Sequence, residues 1–429
     1  MNTFLAPMDY HRAWNVLHQL QGYTSYSEEG AAGVHALLKE NYPLIFQKME
    51  QKPFARGALL LEMSGANTAD PLLFVSHLDA QVQPTVASPQ TLDKENPPKP
   101  AALEHAHVVA LLEALEALLS NGYRPGGDLL IALSMDGLSG AEGAQSVAEH
   151  LKTRGLQPCF VLDFGGYVTR SAFCTFLPPD APLAMIGISE KGLLQGTVTA
   201  DRTAFQQSAS LASPLNALLR SGARLSRRSR TASLCKTSEQ MLLALSKRAP
   251  MPQRMLVTNP RLTFPLLRLL WRKRAIMRQF FVSERILTGL TCTGETAREP
   301  DNAVLSFRQS VVPGQKLSEW TQQLRKTVGN KNLALHLPLA LEHSARSQTG
   351  GAAWDALGTA IEILFDRVVI VPCLSPYVTD GRFYTSLRGN VYRFSPFLLT
   401  GRQALAGECM VTDDTLQTAV QFFRQMLSV

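Results

Sequence analysis

Three short apolar runs constrain this chain more than any other feature: Leu72–Val75, Leu129–Leu133 and Phe160–Leu162. None is broken by a polar residue, as expected of strands covered on both faces in a parallel sheet. Stretches of helical periodicity separate them. Between His107 and Ser120, Val108, Leu111, Leu112, Leu115, Leu118 and Leu119 make one helix face, with Glu113 and Glu116 away from it, and Asn121-Gly122 ends the helix. A further helix is predicted over Gly143–Lys152. The order strand, helix, strand, helix, strand predicts a parallel sheet joined by right-handed crossovers.

The ends of these runs carry the chemistry. The first leads through Ser76 into His77-Leu78-Asp79. Residues two apart on an extended chain share a face, so His77 and Asp79 point the same way. A neutral imidazole is a common zinc ligand, and a neighbouring carboxylate fixes its tautomer and orientation. Alone, such a pair serves equally well to close a strand. The second run reaches Asp136, and the third ends in Asp163-Phe164-Gly165-Gly166. Open α/β sheets bind ligands at the carboxyl ends of their strands. Three strand ends that each carry an acid or a His-Asp pair therefore point to one site.

At 429 residues the chain exceeds one ordinary core, and two domains are expected. Residues 9–50 predict two helices and Gly57–Met63 an edge strand, while 80–100, with five prolines, reads as a loop. After Glu190 the texture changes. Leu193–Val198 and Val304–Arg308 read as strands of a second sheet. The α/β texture returns with a helix at Trp354–Phe365, a strand at Val368–Val371 and a final helix at Leu416–Leu427. The expected fold is α/β, a mainly parallel sheet with helices on both faces, built from 1–190 and 346–429. An inserted α+β lid domain is expected at 191–345.

No apolar run approaches the roughly 20 residues of a membrane span. The N-terminal stretch lacks a basic start followed by an apolar core, so no signal peptide is predicted. Six scattered cysteines without a CxxC predict free thiols in a reducing, cytoplasmic compartment. The net charge of +7 hides an asymmetry. Arg220–Phe280 holds 15 Lys and Arg against one acid, Glu239, a local balance of +14 that leaves the remainder at −7. Within it, FPLLRLLWRKRAIMRQFF (Phe264–Phe281) mixes Leu, Trp and Phe with Arg and Lys. Such a helix either lies on an anionic membrane surface or acidic partner, or packs its Leu face inward while its Arg stems snorkel. Nucleic acid is not an expected partner, because no binding motif accompanies the charge.

Several stretches carry a family resemblance: PLLFVSHLDAQVQP, ALEHAHVVALLEALEALLSNGYRPGGDLLIALSMDG, GAEGAQSVAEHL, FVLDFGG, IGISEKG and TDGRFYTSLRGNVYRFSP. Together they resemble the zinc-dependent aminoacylase/carboxypeptidase metallopeptidases, in the branch of carboxypeptidase S and the N-fatty-acyl-amino-acid hydrolases. The resemblance covers nearly the whole chain in order, and it places the inserted lid, a dimerisation-type domain, where that family has it. It implies a two-zinc site held by five side chains, with a glutamate as general base, and leaves a homodimer open.

That site is incomplete in this sequence. The resemblance makes His77 and Asp163 the terminal ligands of one zinc and Asp79 the residue that positions His77. The bridging aspartate falls at Leu103, one residue before Glu104. The Asp-Glu-Glu that carries the general base and a second-zinc ligand reads Asp136-Gly137-Leu138. The last ligand, a histidine, falls at Ala406, and the lid motif's histidine falls near Ala204-Phe205-Gln206. A placed carboxylate contributes roughly 10²–10⁴-fold by proton transfer, and Gly137 cannot supply it. The expected function is thus a non-catalytic relative that binds a small peptide or N-acyl amino acid. The alternative is an amidohydrolase rebuilt on at most one zinc, with Glu104-His105-Ala106-His107 completing a site on His77 and Asp163. Against that, an EHAH at a helix start also reads as polar capping and solvated surface. Asp380 and Arg382, in TDGR, are expected to shape the fold near the site.

Overall fold

The computed structural model describes residues 9–23, 27–67, 69–79, 99–137, 140–170, 182–207, 213–227, 230–251, 253–271, 279–294, 300–375, 377–387, 389–400, 403–404 and 408–429. The chain divides into two compact units. One is Met1–Ser189 with Gln240–Asn259 and Ala345–Val429; the other is Glu190–Glu239 with Pro260–Ser344.

The chain opens with α1 (Tyr10–Leu20), α2 (Glu28–Asn41), α3 (Pro43–Lys48), β1 (Glu50–Pro53), β2 (Leu59–Met63) and β3 (Ala69–His77). It continues with β4 (Lys99–Ala102), α4 (Leu103–Ser120), β5 (Gly127–Ser134), α5 (Glu142–Thr153), β6 (Phe160–Asp163), β7 (Tyr167–Arg170) and β8 (Pro182–Glu190). Then come β9 (Gly192–Asp201), α6 (Arg202–Gln207), α7 (Pro214–Arg227), β10 (Arg230–Ala232), α8 (Lys236–Ser246), α9 (Gln253–Thr258) and α10 (Pro260–Trp271). β11 (Val282–Thr293), β12 (Asn302–Val311), α11 (Leu317–Val328) and β13 (Leu333–Leu341) follow. The chain closes with α12 (Ala352–Leu364), β14 (Val369–Ser375), a 3₁₀ segment at Asp380–Leu387, β15 (Asn390–Arg393), β16 (Glu408–Val411) and α13 (Asp413–Met426).

In the first unit the described strands form one large sheet in the order β1-β2-β5-β3-β6-β15-β8-β14, with β7 on β8. Its centre is parallel: β5, β3, β6 and β15 run the same way. β1 is antiparallel to β2, β2 to β5, and β8 to β15 and β7. The register sets Val75 opposite Asp163 and His77 opposite Ser134. The three apolar runs alternate between two covered faces, which explains why they carry no polar residue. Leu73, Val75, Leu130, Ala132 and Val161 pack with Ala144, Val147 and Leu151 of α5. On the other face Phe74 meets Phe160 and Phe423 of α13 edge-on, at 6.1 and 6.2 Å. Each buried Leu, Val or Phe contributes roughly 1.5–3 kcal/mol of hydrophobic stabilisation.

Four sequence expectations change here. Gly57–Met63, expected as an edge strand, gives β2, which is paired on both sides, with β1 and with β5. The N-terminal region holds a third helix, α3, begun by Pro43 at its first turn. Lys99–Ala102 is strand rather than loop, paired antiparallel with β16 from the far end of the chain. Glu113 and Glu116 do not face water. Arg12 of α1 donates to both oxygens of Glu113, at 2.8 and 2.6 Å, and Glu116 accepts the backbone N–H groups of Leu44 and Ile45, at 2.9 and 3.0 Å. α4 is therefore covered all round, and its two acids serve as a buried ion-pair partner and as a cap for α3.

The second unit is an antiparallel sheet ordered β10-β11-β12-β9-β13. α7 and α11 close its core, where Leu218, Leu225, Trp320 and Leu324 pack with Val198, Leu305 and Phe307. Gly222 lets α7 approach the sheet closely: a Cβ there would lie 3.0 Å from Leu305 Cδ2. α10 buries Leu267 but leaves Leu262, Leu266, Leu269 and Leu270 exposed.

Candidate active site

The sheet brings the marked strand ends of the first unit together. β3 delivers His77, β5 delivers Ser134 opposite it, and β6 delivers Asp163 on the adjacent strand. The segment after β14 adds Thr379 and Asp380. All of these side chains are buried. Asp79 lies 2.9 Å from His77 Nδ1, and its same oxygen accepts the Gly137 N–H at 3.1 Å. Ser134 donates its hydroxyl to Asp380. Asp163 accepts the N–H groups of Gly381 at 2.6 Å and Phe164 at 2.8 Å. Arg393 of β15, completely buried, donates to Thr379 Oγ1 at 3.3 Å and to the Val391 carbonyl at 3.2 Å, and its charge bears on Asp163.

Burial and mutual repulsion set the protonation of this cluster. Desolvation, then the charge of Asp380, lifts the Asp163 carboxyl to about 7, against the pull of Thr379, Arg393 and the Gly381 N–H. Desolvation also lifts Asp380 to about 6, against His77 and Ser134. At His77 burial disfavours the cation. The hydrogen bond to Asp79 and the fields of Asp380, Asp79 and Glu104 outweigh it and raise the ring to about 10. Glu104, partly exposed on the first turn of α4, is itself raised by desolvation and held down by His77. Of the three histidines here, His77 is thus the one whose cationic form the surrounding carboxyl groups favour.

His105 and His107 correct the solvated reading of EHAH. Neither is solvated, and among the described residues neither joins a group of three or more side chains placed to hold a metal ion. Each is fully buried: His105 lies 3.0 Å from the Leu78 carbonyl, and His107 lies 2.9 Å from Ser395 Oγ with its ring against Phe423. Burial pushes His105 down to about 4 and His107 to about 3, so both stay neutral. Asp136 caps α5 by accepting the Gly143 N–H at 3.2 Å. Phe205 lies in the core of the second unit. Leu138 and Ala406 lie outside the described residues.

The position of the expected general base is filled. A Cβ built on Gly137 would lie 2.5 Å from His77 Cγ and 2.7 Å from Cδ2. The imidazole occupies the space that a longer residue 137 would need. Zinc fits this arrangement poorly. Among the described residues no group of three or more His, Cys, Asp and Glu side chains is placed to hold a metal ion. Asp163, expected as a ligand beside His77, is turned to backbone N–H groups instead.

Comparison with known proteins finds relatives but no family model that matches. The chain is 27% identical over 299 residues to the N-fatty-acyl-amino acid synthase/hydrolase PM20D1 of Homo sapiens, covering 68% of this chain and 59% of that protein. It is 24% identical over 396 residues to the probable carboxypeptidase S-like 2 of Dictyostelium discoideum, covering 85% of this chain and 72% of that one. The chain is similar to these relatives in sequence and to M20 peptidases in fold. Its match thus spans about three-fifths of the length of the synthase/hydrolases, at 59% for the human protein. The fold agrees. An M20 family metallo-carboxypeptidase from Sulfolobus solfataricus superposes with a TM-score of 0.65 at 13% identity, covering 98% of this chain and 99% of that one. Human carnosine dipeptidase 1 gives 0.65 at 12%, covering 97% of each.

The sequence had marked His77, Asp79, Asp163 and Glu104. It did not mark Ser134, Thr379 or Arg393, which hold the cluster together. A serine ending an apolar run, and an arginine inside YRFSP, were the only signals available.

Proposed function

We propose that this chain is a non-catalytic M20 relative, which keeps the fold to bind a small peptide or N-acyl amino acid rather than to cleave it. The observation that carries the reading is the His77 ring lying where a side chain at 137 would stand. Without a carboxylate there, the roughly 10²–10⁴-fold contribution of general-base catalysis is missing. The ligand class is supported by the relatives named as N-fatty-acyl-amino acid synthase/hydrolases. A cytoplasmic setting belongs to the same proposal, supported by free thiols at Cys159, Cys235, Cys292, Cys373 and Cys409. No helix among the described residues is long and apolar enough to cross a membrane.

The test is turnover of N-fatty-acyl amino acids and dipeptides by protein purified without chelator, with its metal content measured alongside. No turnover above background is expected. The alternative is a single zinc held by His77, Asp163 and Glu104. Turnover that chelation abolishes, zinc restores and Glu104→Ala removes would establish it and end the non-catalytic reading.

The proposal extends to the basic segment. On α10 the exposed Leu262, Leu266, Leu269 and Leu270 recur at helical spacing, interspersed with Arg261 and Arg268, which supports docking on an anionic membrane surface. Residues 272–278 of that segment lie outside the described part. Sedimentation with acidic vesicles at low salt should fall steeply as salt rises. Equal recovery with neutral vesicles would refute the docking.

A further inference from the structure

The second unit carries charge of another kind. α7 turns Pro214, Ala217, Leu218, Ser221, Gly222 and Leu225 inward. Its outer side carries Asn216, Arg220, Arg224 and Arg227, at spacings of three and four that form one column along the helix. The turn after α11 brings Asn330 and Lys331 to face that column, across a groove of ≈ 910 Å³. Four cations line it, Arg220, Arg224, Arg227 and Lys331, and no carboxylate does.

Two features separate this groove from an ordinary solvated face. First, α7 has no acid anywhere in PLNALLRSGARLSR, although like charges three and four apart on a helix repel. Among the described residues none of the four cations is ion-paired to a carboxylate of the chain. Second, one guanidinium is fixed. Arg224 Nη2 donates to the Val328 carbonyl at 2.9 Å, at the end of α11 where a cation is favoured. Gly329, at φ +63°, leaves room for it: a Cβ there would lie 2.7 Å from Arg224 Nη1.

The missing counter-charge is the inference. We propose that this groove is a binding site for clustered phosphates. Guanidinium groups bind phosphate through paired N–H donors, and the hydroxyl of Ser213 and the amides of Asn216 and Asn330 add neutral partners at the wall. Arg220 and Arg227 are seven residues apart, roughly 10 Å along the helix axis. That exceeds the reach of a single phosphate and suits two or more on one small scaffold. The volume is that of a small-ligand site. The phosphates can come from a soluble polyphosphorylated molecule or from the headgroup of a polyphosphoinositide.

The test uses the full chain, isothermal titration with inositol hexakisphosphate, and sedimentation with vesicles containing phosphatidylinositol bisphosphate. Vesicles of equal charge made with phosphatidylserine are the reference. The variant is Arg220→Gln with Arg227→Gln, which leaves Arg224 and its bond to Val328 in place. Wild type should bind inositol hexakisphosphate saturably, one to one. The variant, with unchanged circular dichroism, should bind it roughly a hundredfold more weakly, at about tenfold for each lost charge-assisted contact. Lys331→Gln alone should weaken it about tenfold. If the natural source is a headgroup, phosphoinositide vesicles recover more wild-type protein than the serine-lipid reference, and the variant loses that excess. If the source is soluble, the two vesicles perform alike while the titration still shows binding. Failure to bind either phosphate probe, or equal binding by the variant, overturns the proposal.

Discussion

Arg393 in the first unit and Arg220 in the second carry the same group under opposite conditions. Arg393 is completely buried, with hydroxyl and carbonyl acceptors around it and the Asp163 carboxyl within its field. Arg220 is exposed beside two more arginines and a lysine, with no carboxylate in the groove. A charge taken out of water must be answered within the fold, because its desolvation is far more expensive than a surface pair is worth. A charge left in water costs the fold little, so a column of them can stand without a counter-charge in the chain and remain open to a ligand. Hence the buried cluster records a site closed on itself, and the exposed column records one left open.

The largest effect should come from breaking the closed cluster. Arg393→Met removes a buried cation whose field acts on Asp163 and should lower stability by roughly 3–5 kcal/mol, read from urea denaturation. Adding Asp163→Asn should restore part of the loss, since an uncompensated buried charge does more harm than an absent pair. A loss under about 1 kcal/mol for Arg393→Met, at the level of a surface pair, would mean that the cluster does not depend on this guanidinium.

A smaller effect is expected at Gly137. Even a methyl group meets the His77 ring there, so Gly137→Ala should destabilise by roughly 1–3 kcal/mol through overpacking. In a His77→Ala background the same change should cost much less, and the double-mutant cycle measures that coupling. Additive effects would show that the ring does not fill the space of the missing base, and would remove the main support for the non-catalytic reading.

What the sequence disclosed and what it hid divide along the same physical line. Leu72–Val75, Leu129–Leu133 and Phe160–Leu162 were legible because parallel strands covered on both faces leave no polar residue to interrupt them. Their ends were legible too, since His77, Asp136 and Asp163 each follow a run within three residues. Glu113 and Glu116 misled, because an acid off the apolar face looks solvated until α1 and α3 arrive from elsewhere in the chain. His105 and His107 misled in the same way: a buried neutral histidine and an exposed capping one are spelled alike. The pairing of Lys99–Ala102 with Glu408–Val411 joins segments some three hundred residues apart, and no local pattern carries it. At Gly137 the loss of a side chain could be read in advance. That His77 occupies its place could not, because the absence of an atom does not say what replaces it.

The smallest expected effect is the most diagnostic for the open site. Arg220→Gln with Arg227→Gln should change stability by no more than about 0.5 kcal/mol, the range of surface substitutions away from special features. The sign should be favourable, because relieving like charges three and four residues apart on α7 returns a few tenths of a kcal/mol. Salt supplies an internal check. Screening should stabilise the wild type slightly and leave the variant almost unmoved, since repulsion between exposed charges fades within a Debye length of about 10 Å at 0.1 M. A loss above about 1 kcal/mol would instead make these arginines part of the fold. The contrast with Arg393 would then disappear, and with it the reason to expect an anion in the groove.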